Sequence, residues 1–439
     1  MVRYNPWQQA IHSEELSPAI CAPAHIGSRI SMIIFFSLIL SCILGCKNEE
    51  LFALQPLDTK PTTITLEDSG IEAFYIPSMP DTVKWGILPN ASDKALITVP
   101  SGSIVVFDTL SHEGILEDQG RDPIGFFKDY GVDENYILRD AILIAESNLN
   151  HDFYADGPHI VTGPIAIENA MPGDVLKVEI LSLKPRVPYG VISNRHGKGA
   201  LPGEFPETKT PKQPIHQHAP EALGNVSIFT PIYYSKNIER WNGKLKNNEN
   251  QEVSFPTAPF MGVMGVAPNT TDKVHSVPPD VHGGNIDVKD FQAGSTLYLP
   301  IFVPGALFYT GDPHMAQGNG EVALTALEHS IRVTFKLSLL KQASPEIPTG
   351  TESISRPFGE TEKFWITMGF DPDLDEAMKQ TVREAIAFLE KKLNMDRATA
   401  LAYLSAATDF NVSQVVDKNK GIHALIRKED FSKITEEWE

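Results

Sequence analysis

The sequence predicts a β-rich α+β protein, in which β-sandwich or barrel modules built from short strands precede a C-terminal helical segment. Short β-branched runs, separated by Gly and Pro, extend from about residue 73 to residue 340. Leu176, Val178 and Ile180 alternate with two charged residues, which is the period of a half-buried strand. After about residue 365, apolar residues recur instead at helical spacing.

Composition and charge restrict the class of protein. The 439-residue chain is 42% hydrophobic and 21% charged, which is the balance of an ordinary globular protein. Its formal net charge of −19 argues against a nucleic-acid partner, because a duplex-binding surface needs basic residues that displace counterions. A small neutral substrate is compatible with this charge.

The N-terminal segment is expected to direct export. The apolar run from residue 31 to Cys46 is too short to span a bilayer comfortably and has the proportions of a signal peptide. It ends in Ile-Leu-Gly-Cys, which resembles a bacterial lipobox. We therefore expect residues 1–45 to be a signal peptide and Cys46 to anchor the chain by a lipid in the bacterial cell envelope, on the periplasmic or surface face of the outer membrane. A buried apolar helix with an incidental cysteine is the alternative.

The rest of the chain divides into three predicted regions. Residues 46–70 are Pro- and Thr-rich and are expected to be a tether. Residues 71–345 are expected to form the β-rich catalytic body, with a surface insertion at about residues 198–252. Residues 346–439 are expected to form a helical segment packed on that body. Because the other cysteines precede Cys46, the mature chain has neither a disulfide nor a thiol nucleophile.

Three strands of the body are expected to begin with the same turn. A Gly-containing turn at residues 100–103, 172–174 and 293–295 precedes an apolar β-branched run in each case. Coincidental use of common turn chemistry is the alternative to an internal repeat.

The C-terminal segment predicts two helices. Asp371 and Pro372 offer an N-cap and a proline at the first helical position. The apolar positions that follow at helical spacing are Leu374, Met378, Val382, Ile386, Leu389 and Leu393. A second helix is expected to begin near Asp396 and to carry Leu401 and Leu404.

Two Gly-rich segments, residues 281–287 and 310–321, hold most of the chemically useful polar residues. If Asp312 and His314 lie on an extended segment, their i, i+2 spacing places both on one face, where they can chelate one cation. Imidazole and carboxylate ligands suit Zn²⁺ or a similar ion, which acidifies a bound water for attack on a substrate. A hydrogen-bonded turn role for these residues is the alternative.

At these residues the sequence resembles the acetamidase/formamidase family. The carrying motifs are HGGNID at residues 282–287 and AGSTLYLPIFVPGALFYTGDPHMAQGNGEVALTALE at residues 293–328. Further matching blocks lie at residues 111–122, 162–165, 259–268, 408–410 and 421–424. The resemblance implies an acetamidase/formamidase-like fold, a homo-oligomer, and often a bound divalent metal, Zn or Ca. It also implies hydrolysis of the C–N bond of a small linear amide, such as formamide or acetamide, to a carboxylate and ammonia.

Carried over residue by residue, the resemblance assigns roles within the two central motifs. It implies that His282, Asp312 and His314 hold the metal. Glu321 would act as general base or proton shuttle, and Asn285 and Asp287 would complete the catalytic set by orienting the substrate or supporting the ligands. The reserve candidates, both in other matching blocks, are His112 and His159.

One departure from the family pattern bears on function. Asn319 stands where the family usually has Asp, so a negative charge is missing beside the expected site. This favours an alternative, a catalytically impaired surface lipoprotein that binds a small ligand on the amidase scaffold. An anchored structural protein is a third interpretation, and it requires both polar segments to be idle.

Overall fold

A computed structural model describes residues 55–195, 197–207, 225–236 and 239–435. The predicted signal peptide and Cys46 lie outside the described residues. Within these ranges, the structure contains no helix that combines the length and the apolar character needed to cross a membrane.

The strands are labelled in chain order. Strands β1 to β23 span Thr62–Thr65, Glu72–Ile76, Val83–Trp85, Ile87–Leu88, Thr98–Val99, Ser103–Asp108, Ile160–Ile167, Val175–Pro185, Tyr189–Arg195, Asn225–Ser235, Arg240–Lys246, Glu252–Pro256, Phe260–Gly265, Val274–His275, Gly283–Asn285, Thr296–Pro300, Phe308–Ala316, Leu327–Glu328, Ile331–Leu340, Phe358–Glu360, Phe364–Asp371, Asp409–Gln414 and Lys420–Arg427. Helices α1 to α5 span Pro123–Asp129, Arg139–Glu146, Leu374–Leu393, Arg397–Ala407 and Ser432–Thr435. Short 3₁₀ helices span Glu117–Gln119, Glu134–Tyr136 and Lys428–Phe431.

Two large sheets pack face to face. The first has the order β1-β2-β6-β19-β8-β16-β20-β21-β23-β22, with β2 and β6 parallel. The second has the order β12-β11-β10-β9-β18-β17-β13-β15, and β7 pairs with β17, β3 and β5. Phe107 and Phe335 of the first sheet meet Phe308 of the second edge to face, with ring centroids 5.9 and 5.5 Å apart. The predicted β-rich α+β architecture is confirmed, and it contains a sandwich.

The predicted strand starts are confirmed. The turns at residues 100–103, 172–174 and 293–295 immediately precede β6, β8 and β16, all in the first sheet. Gly102, Gly173 and Gly294 have φ of 88°, 95° and 90°, which other residues adopt only with strain. In β8 the apolar residues of the predicted alternation are buried.

The C-terminal helices pack on the first sheet, where Phe388 of α3 contacts Trp365 of β21. The predicted N-cap of α3 is wrong, because Asp371 is the last residue of β21 and still pairs with β23. Asp373 caps the helix instead by accepting hydrogen bonds from the backbone N–H groups of Asp375 and Glu376. Helix α4 begins next to Asp396, as predicted, and the Asp396 side chain caps it. Leu404 is buried, but Leu401 is exposed on the outer face of α4.

The described part of the predicted insertion, about residues 198–252, is not structureless. It contributes β10, β11 and the start of β12, which form the outer ribbon of the second sheet. Strand β12 is mostly exposed, as expected for an edge strand.

Candidate active site

Strand β13 brings the two predicted motifs together. It pairs with β15 on one side and with β17 on the other. Strand β17 carries Asp312 and His314, β15 ends at Asn285, and Asp287 lies two residues after that end. Residues about 25 positions apart in the sequence therefore become neighbours on either side of one strand.

A glycine in β13 makes this approach possible. A methyl group on Gly262 would lie 2.5 Å from Asp287 Oδ1 and 2.6 Å from Asp312 Oδ2. Any other residue at this position would push at least one carboxylate away, because both contacts are shorter than van der Waals contact allows.

Three acidic residues of the site have left-handed backbone conformations. The φ angles of Asp287, Asp312 and Glu321 are 48°, 50° and 47°. Such conformations are uncommon for residues with a side chain and cost on the order of 1–3 kcal/mol each. Their concentration around one point indicates that the surrounding structure holds these carboxylates in place.

His314 lies at the centre of the acidic residues and is fully buried. Its Nε2 atom lies 3.0 Å from Asp312 Oδ2, 3.1 Å from Glu328 Oε1 and 4.0 Å from Glu321 Oε1. On the other side of the ring, Nδ1 lies 2.9 Å from the side-chain oxygen of Gln317. The side-chain nitrogen of Gln317 donates to two backbone carbonyl groups, those of Asp287 and Ser413.

Gln317 therefore fixes the tautomer of His314. Since both hydrogens of the Gln317 amide are used, its oxygen must accept the Nδ1–H of His314. A neutral ring then points the Nε2 lone pair at acidic oxygens that are themselves acceptors. Only a proton or a cation satisfies this arrangement, and the negative charges of Asp312 and Glu328 raise the pKa of His314 despite its burial.

The acidic residues around His314 form what we call the carboxylate cluster. Its members are Asp287, Asp312, Glu321, Glu328 and Asp417, and each has a buried side-chain oxygen that has no hydrogen-bond partner among the described residues. Burial, and then the repulsion of neighbouring carboxylates, raises the pKa of Glu321 and of Asp417. Burial also raises the pKa of Asp287 to about 6 and that of Glu328 to about 7.

Two further histidines approach Asp312 from the other side. His112 Nδ1 lies 3.9 Å from Asp312 Oδ1 and 3.8 Å from Glu328 Oε2, and His159 Nε2 lies 3.7 Å from Asp312 Oδ1. Glu113 Oε1 lies 3.3 Å from His112 Nε2. Although burial opposes it, the charge of Arg195 and the contacts with His112 lower the pKa of Glu113 to about 2, so this carboxylate is ionised.

This donor set fits a divalent cation. Several buried residues form overlapping groups of three potential ligands, and within each group the donor atoms lie within 4.8 Å of one another. The groups are His112–Asp312–Glu328, Asp287–Asp312–His314, His314–Glu321–Glu328 and Asp287–Glu321–Asp417. Nitrogen and carboxylate ligands suit Zn²⁺, whereas a group of carboxylates suits Ca²⁺. Such an ion would bind the carboxylate oxygens that lack a hydrogen-bond partner among the described residues.

A cavity of about 450 Å³ opens beside the cluster. Its floor includes the buried residues His112, His159, Asn285, Asp312, Glu321, Glu328 and Asp417. Its mouth includes the exposed residues Tyr154, Lys198, Pro202 and Lys418. The side-chain oxygen of Asn285 has no partner at the floor and is available to accept a hydrogen bond.

The structure brings most of the predicted site residues together. Asn285, Asp312 and Glu321 line the cavity, and Asp287 and His314 lie directly behind it. His282 is buried and has no ligand atom in these clusters of the described residues. Asn319 is exposed and does not line the cavity, so the charge it lacks lies outside the cluster.

The sequence analysis did not select Glu328, Glu113, Gln317 or Asp417. Glu328 carries the best signal of these, because it is an acidic residue at the end of an otherwise small and apolar run. Gln317 and Asp417 lie in irregular segments whose approach to His314 and Asp287 depends on tertiary packing. No local pattern indicates that approach.

Comparison with known proteins places this chain among relatives named as amide hydrolases. The profile of the Acetamidase/Formamidase family matches residues 150–274 and 270–429. The chain is 26% identical over 276 residues to the acetamidase of Mycolicibacterium smegmatis, covering 54% of this chain and 68% of that protein. It is also 26% identical over 306 residues to the formamidase of Methylophilus methylotrophus, covering 59% and 73%.

Solved structures share the fold. The crystal structure of an acetamidase from Bacillus halodurans aligns with a TM-score of 0.59 and 24% identity, over 82% of this chain and 99% of that one. An acetamidase from Yersinia enterocolitica gives the same TM-score and identity, over 83% and 94%.

Proposed function

Because this chain belongs to the acetamidase/formamidase family, we propose that its carboxylate cluster hydrolyses the C–N bond of a small linear amide to a carboxylate and ammonia. One observation carries the assignment of the site. A buried imidazole, with its tautomer fixed by Gln317, points its Nε2 atom at acidic oxygens beside a cavity large enough for an amide.

In this proposal, the cavity floor holds a divalent cation, zinc or calcium. His112, Asp312 and Glu328 would bind it from the cavity side, with His314 behind them. A cation bound there supplies Lewis acidity, which polarises an amide carbonyl and favours the ionisation of water. Of the three metal ligands expected from sequence, this proposal keeps Asp312 and His314. His112 and Glu328 take the place of His282.

The other residues of the floor bind the amide and move protons. Asn285 Oδ1 accepts a hydrogen bond from the amide NH₂ group, which sets the direction of the C–N bond. Glu321, with its unpartnered Oε2 atom at the floor, takes a proton from the attacking water and returns it to the leaving nitrogen. Glu113 keeps the His112 ring oriented by contacting its Nε2 atom.

Ammonia release tests the assignment directly. The purified mature chain should release ammonia from formamide or acetamide, should lose this activity in a chelator, and should regain it when Zn²⁺ or Ca²⁺ is added back. Elemental analysis of the same samples identifies the ion. A metal-loaded, folded protein that releases no ammonia from any simple amide would contradict the proposal.

The lipid anchor and the assembly state belong to the same proposal. The Ile-Leu-Gly-Cys motif supports lipidation of Cys46 and placement in the cell envelope. The family resemblance supports a homo-oligomer. Membrane fractionation tests the anchor, and analytical ultracentrifugation of the mature chain tests the assembly.

A further inference from the structure

The cavity is larger than a formamidase or acetamidase needs. Acetamide has four non-hydrogen atoms, whereas about 450 Å³ accommodates roughly 15 water-sized groups at about 30 Å³ each. The walls between floor and mouth include several apolar side chains, namely Leu116, Phe153, Val277, Leu324, Val415 and Val416. Such walls favour a substrate with an apolar segment attached to the amide.

The mouth has the opposite charge to the floor. Lys198 and Lys418 are exposed there, although the chain as a whole has a net charge of −19. Neither ammonium group forms an ion pair or hydrogen bond with any other residue that the structure describes. Lys198 is exposed as a residue, yet desolvation lowers the pKa of its ammonium group. The positive charges of Arg195 and then Lys418 lower this pKa further.

Two acidic residues near the mouth are already paired. Asp156 forms an ion pair with Lys273, and Asp118 Oδ2 accepts a hydrogen bond of 2.7 Å from Arg195. His275 also lines the cavity and is neutral, because burial, and then the charge of Lys418, lower its pKa to about 4. Its Nδ1 accepts from the backbone N–H of Val277, which leaves Nε2–H as a further donor.

We propose that the substrate of this site is an amide whose far end carries an anionic group such as a carboxylate. Lys198 and Lys418 bind the anionic end, the apolar walls hold a short aliphatic spacer, and the amide reaches the floor. Because the lysines lie at the mouth and Asn285 lies at the floor, the anionic end stays at the mouth and the amide enters first. This inference rests on the proposed amidase function and specifies its substrate class.

A matched pair of amides tests the inference. Glutaric acid monoamide and pentanamide have chains of equal length and differ only in a terminal carboxylate or methyl group. The wild-type chain should show a kcat/KM about 10- to 100-fold higher for the monoamide, which is the effect expected of charged hydrogen bonds. Added NaCl should reduce this ratio, because salt screens exposed charges.

Two substitutions assign the preference to the lysines. Lys418 has a φ of 64°, so Lys418→Asn removes the charge with a residue that tolerates this conformation. In the double variant with Lys198→Gln, the ratio of the two kcat/KM values should fall to within about threefold. Lys94→Gln, at an exposed lysine outside the cavity, is the matched control and should keep the wild-type ratio.

The outcomes separate the inference from the function on which it rests. Hydrolysis of acetamide and pentanamide without a preference for the monoamide overturns the inference and leaves the amidase function intact. A preference that survives both the double variant and high salt also overturns it. Absence of ammonia release from every amide overturns the proposed function, and the substrate class with it.

Discussion

Substituting Gly262 by alanine should disable the site without removing any functional group. The new methyl group would lie 2.5 Å from Asp287 Oδ1 and 2.6 Å from Asp312 Oδ2, where ordinary contact begins at 3.4 Å. To restore ordinary contact, the Asp287 carboxylate must move by about 0.9 Å and the Asp312 carboxylate by about 0.8 Å. A displacement of about 1 Å in a catalytic site costs on the order of 10²-fold in rate, and crowding of a packed interior costs about 1–3 kcal/mol of stability.

Ammonia release from acetamide, metal content and chemical denaturation should be measured together on Gly262→Ala. Gly318→Ala is the control, because a methyl group on Gly318 meets no atom within 4 Å and its φ is not left-handed. We expect wild-type behaviour from Gly318→Ala and a loss of kcat/KM of about 10²-fold from Gly262→Ala. If Gly262→Ala keeps the wild-type rate and metal content, the close approach of Asp287 and Asp312 is not required for activity.

Four further changes test other parts of the account. Glu321→Gln should lower amide turnover by about 10²–10⁴-fold with normal metal content, because it removes the proton-transfer group; an unchanged rate would place this role elsewhere. His314→Ala should lower metal content first and activity as a consequence, as elemental analysis would show. Asp174 accepts hydrogen bonds from Lys341 Nζ and two backbone N–H groups, which lower its pKa although burial opposes this. The contribution of Asp174 to the free energy of unfolding is therefore fully present above the pKa of about 4 that the group has in the unfolded chain. It is lost as the pH falls through the lower pKa of the folded state. Asp174→Asn should cost about 1–3 kcal/mol at pH 7 and progressively less below pH 4, measured by denaturation at several pH values. Cys46→Ser should abolish incorporation of labelled lipid while leaving the mature domain folded, and full lipid retention would refute the anchor.

The fold was largely predictable from sequence because its signals are local. The alternation in β8 and the glycine turns before β6, β8 and β16 each determine a strand from a few residues. The start of α3 was mispredicted because two aspartates lie near it and both can cap a helix. The pairing of β21 with β23 extends to Asp371, so Asp373 is the first residue free to cap.

The site was only partly predictable because it depends on distant contacts. Asp312 and His314 could be selected from their spacing and from the family resemblance. The partners of His314 are fixed by tertiary structure, since Glu328 reaches it from another strand and Gln317 is held partly by the carbonyl of Ser413. His282 shares a motif with Asn285, yet the backbone between them passes through two left-handed glycines, Gly283 and Gly284. After such a backbone path, the spacing of His282 and Asn285 in the sequence does not predict whether their side chains point the same way.

The location of the site on paired strands of the second sheet follows from its energetic cost. Buried carboxylates without partners and three left-handed acidic residues all raise the free energy of the folded state. An exposed loop would relax and move these groups apart. Strands β13, β15 and β17 cannot relax in this way, because they are hydrogen-bonded to one another and Met264 and Phe308 anchor them in the core shared by both sheets. The sandwich thus holds the acidic oxygens close together, as the proposed cation site requires.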